Sequence, residues 1–263
     1  MLVFAAYTPH TPLLLPGIGK QHLEKLLSTR GAMDHLAEEL YAVRPETIVL
    51  VSGHGAHFPG AYSVNLHDHY QVNLSEFGDL TTHEEYRPDL AFIDRLQREV
   101  RRAQMPMKLF SDPVLDYGSA VPLLVLADRL PGVKIVPISY SGLPPKSHLE
   151  FGRHLKEIIQ ASQARIAVVA SGDLSHALSA DAPAGLRREG KSFDTAVREA
   201  VANVSVSKLL ALDPKVVHRA AECGYRPLLI LMGLMEGMNV KPEELVYESP
   251  FGVGYLVAHF HLA

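Results

Sequence analysis

The sequence predicts a layered α/β domain, and three observations carry that expectation. β-Branched apolar runs such as Thr47-Ile-Val-Leu-Val-Ser52 and Ile166-Ala-Val-Val-Ala170 alternate with stretches of helical periodicity. Proline and glycine, 18 and 19 residues, are spread along the chain rather than gathered into a linker. The 263 residues, 47% of them hydrophobic, can bury one large core or two small ones.

In chain order, the strands are expected at 2–7, 47–52, 63–66, 70–74, 134–140, 165–170, 245–248 and 254–260. Each is a short run rich in Val, Ile, Leu, Phe or Tyr. Helical patterns are expected around 20–43, 88–104, 118–130, 146–162, 185–202, 213–223 and 227–237. Several helix starts carry capping chemistry. Ser147 and Glu150 have capping-box spacing, as do Thr82 and Glu85. Asp213-Pro214 reads as an N-cap with proline at the first helical position. Ser205 opens an amphipathic helix. Gly224 is expected to stop the helix begun at Asp213, and Pro227 to start the next.

Net charge is −4 with histidine neutral, and the basic cluster Arg187, Arg188, Lys191 is broken by Glu189. Nucleic acid and anionic membrane are therefore not expected as partners. No apolar run reaches the length of a membrane span, and the N-terminal residues lack a basic, cleavable leader, so a cytoplasmic protein is expected. One cysteine, Cys223, excludes a disulfide framework and a thiolate zinc cage. A metal would then be held by imidazole and carboxylate, drawn from 14 His and 29 Asp plus Glu.

The histidines fall in a pattern. His10 follows the strand 2–7 by a Thr-Pro step, His54 follows 47–52 across one glycine, and His176 follows 165–170 after Ser-Gly-Asp-Leu-Ser. Open α/β sheets bind ligands beyond the carboxyl ends of their strands, so three strands ending in histidine can converge on one pocket. Three unrelated turn histidines are the plainer alternative, and Asp173 in the Ser-Gly-Asp turn has its own plain account as a turn former. Glu222 is placed in the last turn of the helix 213–223, where a carboxylate opposes the helix dipole unless Arg226 or a metal compensates it. Two histidines and one carboxylate make the facial triad of non-haem Fe(II) oxygenases, while Zn(II) and Mn(II) also accept such ligands.

At these residues the sequence resembles the LigB-type family of class III extradiol ring-cleavage dioxygenases, particularly the branch related to Memo and AmmeMemoRadiSam proteins. The matching segments are Thr8-Pro-His-Thr-Pro-Leu-Leu-Leu-Pro16, Ile48-Val-Leu-Val-Ser-Gly-His54, Leu115-Asp-Tyr-Gly-Ser-Ala-Val-Pro-Leu123, Ser171-Gly-Asp-Leu-Ser-His176, Ala221-Glu-Cys-Gly224 and Ser249-Pro-Phe-Gly-Val-Gly-Tyr255. They occur in the family's order across nearly the whole chain.

The resemblance implies a three-layer α/β/α sandwich around a mostly parallel or mixed sheet, as one domain over 1–263. It implies that His10, His54 and Glu222 bind Fe(II), that His176 is an acid/base residue, and that the substrate is a small catechol-type aromatic used with O₂. His57 and Asp173 are expected to contact substrate. Tyr117 is expected in a catalytic position, standing where the family commonly has histidine, and a phenol with an ordinary pKa of about 10 is a poor base there. Two alternatives stay open: a non-catalytic Memo-like metal-binding adaptor, and a zinc-dependent hydrolase on the same fold. A homodimer or a small partner subunit is equally open.

Overall fold

The computed structural model describes residues 1–263. The first half of the chain contributes β1 (Leu2–Thr8), α1 (Pro16–Gly19), α2 (Leu27–Val43), β2 (Thr47–Ser52), β3 (Tyr62–Asn65) and β4 (Tyr70–Gln71). Next come β5 (Glu85–Pro88), α3 (Leu90–Arg102), β6 (Met107–Phe110), α4 (Tyr117–Leu126) and β7 (Lys134–Ser139). The second half adds α5 (Pro145–Gln160), β8 (Ile166–Ser171), α6 (Arg188–Ala202), α7 (Val206–Leu210) and α8 (Pro214–Ala220). It closes with α9 (Tyr225–Met235), β9 (Val240–Glu248) and β10 (Tyr255–Leu262).

The strands form one mixed 10-stranded sheet in the order β4-β5-β7-β2-β8-β1-β10-β9, with β3 and β6 attached beside β7. Its middle is parallel: β7, β2, β8 and β1 run the same way, β10 is antiparallel to β1, and β9 is antiparallel to β10. β2 and β8 are buried at every position, as parallel strands covered on both faces must be. Their apolar residues consequently run without alternation.

The pleat divides each central strand between two cores. Phe4, Ala6, Ile48, Leu50, Ala167 and Val169 pack with Met33, Leu36 and Leu40 of α2 and Val121 of α4. Ala5, Tyr7, Val49, Val51, Val168 and Ala170 face α5, α6 and α9 through Leu155, Phe193, Val197, Leu228 and Leu231. Helices on both faces of the sheet make the expected three-layer sandwich. α5 and α9 meet at glycines, since a Cβ on Gly152 would run into the Ile230 carbonyl and one on Gly233 into that of Leu149.

Some local expectations need correcting. α5 starts at Pro145, so Ser147 lies inside its first turn and makes no capping bond. Thr82 and Glu85 cap no helix; both Thr81 and Thr82 bind the Asp79 carboxylate, and Glu85 begins β5. Asp213 and Ser205 do cap, accepting from Lys215 N and Lys208 N. No helix is long and apolar enough to cross a membrane.

Candidate metal centre

β2, β8 and β1 are adjacent and parallel, with Ala170 paired to both Val51 and Tyr7. Their carboxyl ends therefore share one edge, and the loops leaving them bring His10, His54 and His176 to it. His10 Nε2 and His54 Nε2 face each other at 3.0 Å, with the rings nearly perpendicular at 85°. Cys223 Sγ lies 3.3 Å from His10 Nε2, and the three donor atoms fall within 4.8 Å of one another. The Tyr117 hydroxyl is 3.0 Å from His54 Nε2.

A second layer fixes these groups. Asp173 Oδ1 accepts from His10 N at 3.0 Å, and Ser171 Oγ meets His10 Nδ1 at 2.9 Å. Ser52 Oγ receives His54 N and donates to Asp116 Oδ1 at 2.5 Å. Asp116 is also the N-cap of α4, accepting from Ser119 N, so one carboxylate sets both His54 and the helix that begins at Tyr117.

Electrostatics keep both imidazoles neutral. Burial, with His176 as the second cause, pushes the His10 pKa down to about 3. Burial and then His10 push His54 down to about 4, against the opposing field of Asp116. Burial raises the Asp173 carboxyl and lifts the Tyr117 hydroxyl further above its ordinary range.

Two neutral nitrogens aimed at each other fit a small cation. Ligands about 2.1 Å from a metal and at right angles stand about 3 Å apart, which matches the 3.0 Å observed. Imidazole must also be unprotonated to ligate.

Glu222 is the main correction to the sequence reading. Ala221 takes a left-handed conformation at φ 53°, which ends α8 at Ala220, before Glu222 and before Gly224. Gly224 instead precedes α9, and Glu222 Oε2 accepts from Tyr225 N at 2.6 Å. The carboxylate thus caps a helix N-terminus, with the dipole rather than against it. It lies outside the group formed by His10, His54 and Cys223. Burial nevertheless raises its pKa to about 7, with the Tyr225 N–H and Arg226 opposing. A buried carboxyl so placed gains from a nearby cation.

His176 is held by its backbone N–H to Ala220 O at 2.9 Å, while its Nδ1 is buried without a partner. His176 follows the end of β8 at Ser171 by five residues, on the sheet edge that carries His10 and His54. His57 is exposed and its ring stands 5.4 Å from Tyr140, at the rim rather than among the ligands. Sequence reasoning missed Cys223 as a donor and Ser171 and Asp116 as supports. The signal for Cys223 was its place beside Glu222; the serine gave none, since its role depends on β8 lying beside β1.

The family model described as the catalytic LigB subunit of aromatic ring-opening dioxygenase matches residues 4–258. This chain belongs to the LigB family. Protein CA_C1420 of Clostridium acetobutylicum is 28% identical over 256 residues, covering 94% of this chain and 55% of its own length. The chain thus spans about half the length of that curated relative. The crystal structure of uncharacterized protein JW3007 from Escherichia coli K12 has the same fold, with a TM-score of 0.66 at 21% identity. That likeness covers 98% of this chain and 99% of the other. As a LigB protein the chain is a member of a dioxygenase family, and its His-His-Cys group is a candidate metal centre.

Proposed function

We propose that this LigB protein is a metal-dependent enzyme that uses O₂ to open the ring of a small catechol-type aromatic diol. In this reading His10, His54 and Glu222 hold Fe(II). The facing Nε2 atoms of His10 and His54 are the observation that carries it. The family match supports the reaction class, and the motif order along the chain supports placement near the Memo-related branch.

Bound Fe(II) would supply a Lewis-acidic template with open positions for the diol and O₂. Glu222 contributes the anionic ligand, and a cation beside it favours its ionised form. His176 has an unpartnered Nδ1 at the pocket and accepts a phenolic proton as general base, returning it as the ring opens. The Tyr117 hydroxyl keeps its proton at neutral pH and so donates a hydrogen bond instead of acting as a base. Asp173 anchors the His10 backbone, and His57 with Tyr140 offers an aromatic rim for the substrate ring.

Anaerobic reconstitution with Fe(II), then exposure to O₂ with a panel of catechols, tests the proposal. Coloured ring-fission products and stoichiometric O₂ uptake are expected. Bound iron without O₂ uptake across the panel would reject ring opening.

Cys223 favours a second reading, a zinc-dependent hydrolase. Burial keeps Cys223 a thiol, but on ligating Zn(II) it would give up its proton, and a metal held with two imidazoles there would activate water. Zinc retained through purification, lost in Cys223→Ala, would support it over iron.

A further inference from the structure

We infer that Ser171 is a positioning residue that fixes His10 as its Nδ1–H tautomer, leaving the Nε2 lone pair free to face His54 and Cys223. This rests on the reading of His10 as a metal ligand, and its physical origin lies in a helix defect of α4.

A helical carbonyl accepts from the N–H four residues onward. For Gly118 that residue is Pro122, inside α4, which has no N–H to give. Gly118 is buried, so its carbonyl needs a donor from elsewhere. Ser171, the last residue of β8, supplies one: its Oγ donates to Gly118 O at 2.5 Å.

A hydroxyl has a single proton to donate. With that proton given to a carbonyl, Ser171 Oγ can only accept from His10 Nδ1, 2.9 Å away. His10 must therefore carry its proton on Nδ1. A neutral imidazole has one ring proton, so Nε2 is bare. Ser171 is 0% and His10 1% exposed, so bulk water offers the ring no competing partner. The relay runs Pro122, Gly118 carbonyl, Ser171 hydroxyl, His10 Nδ1, and it ends at the nitrogen aimed into the centre. His54 has no such anchor, since its Nε2 meets both His10 Nε2 and the Tyr117 hydroxyl at 3.0 Å. One ligand is preset and the other adjusts when metal binds.

The test is a long-range proton–nitrogen correlation spectrum of the metal-free full chain labelled with ¹⁵N-histidine, with His10 assigned through His10→Gln. A pyrrole-like Nδ1 and a pyridine-like Nε2 are expected. Ser171→Ala should lose that preference and weaken Zn(II) affinity about 10–100-fold, measured by chelator competition. Ser171→Thr, which keeps the hydroxyl, should restore both. An Nε2–H spectrum in the wild type overturns the relay even if metal binds well. An Ala variant unchanged in tautomer and affinity overturns it too. Should Ser171→Ala not fold, the wild-type spectrum alone decides the tautomer. Zn(II) binding indifferent to His10→Gln overturns the metal-positioning role together with the ligand reading, whatever the tautomer.

Discussion

Tyr117 stands where the family resemblance leads one to expect histidine, and its hydroxyl lies 3.0 Å from His54 Nε2. Replacing it tests chemistry separately from metal binding. Tyr117→Phe should retain metal, because the phenol is not among the grouped donors. Tyr117→His adds an imidazole with an ordinary pKa near 6.5, and ring-opening kcat should rise, since a positioned acid/base contributes about 10²–10⁴-fold. An unchanged or lower kcat in a folded, metal-loaded Tyr117→His protein would show that the position does not carry proton transfer. His10 and His54 were legible in the sequence because each follows a buried-type strand by a short turn. Cys223 was not, because a lone cysteine most often packs as a small apolar residue. Glu222 was placed on the wrong helix, because nothing in Ala220-Ala221 announces the left-handed turn that ends α8.

Elements were legible where their burial was uniform. β1, β2, β7 and β8 emerge close to their expected bounds because buried parallel strands read as unbroken apolar runs. β5 and β6 escaped notice because Glu85-Tyr-Arg-Pro88 and Met107-Lys-Leu-Phe110 are short, mixed and only partly buried. The expected strand at 70–74 shrinks to Tyr70–Gln71, as pairing with β5 ends there. Close helix approach gives a sharp test at this scale. Gly152→Ala should destabilise the fold by about 1–3 kcal/mol, the usual range for overpacking, because its Cβ would meet the α9 backbone at Ile230. Gly224→Ala would press on the Tyr7 hydroxyl and on Asp173 O, 3.0 Å from the added atom. That variant should lose both stability and metal affinity, whereas Gly152→Ala should lose stability alone. Chemical denaturation with parallel metal titration separates the two. Equal losses of affinity in both would mean that the site depends only on global stability.

Across the whole molecule, acid stability should follow the buried histidines. Burial pushes His148 in α5 and His259 in β10 down to about 4, from an unfolded value of about 6.5. Their folded pKa values are depressed, so this contribution is fully present above about pH 6.5 and is lost as pH falls toward 4. The raised Glu222 and Asp173 carboxyls act the other way in that window, so the test is the difference between proteins: thermal melts of metal-free His259→Asn should lose less Tm than the wild type between about pH 7 and 5. Equal losses in the two would contradict it. Fold and candidate metal centre meet where the β2-β8-β1 order brings two neutral imidazoles together at one sheet edge. That neighbour relation was the part of the site the sequence could only suggest, because strand order is set by crossover packing and not by any local motif. The metal content of protein purified without added metal addresses the centre most directly, compared among wild type, His10→Ala and His54→Ala. Iron near one equivalent per chain is expected in the wild type, with loss in both variants. Metal content unchanged by either substitution would contradict the centre itself.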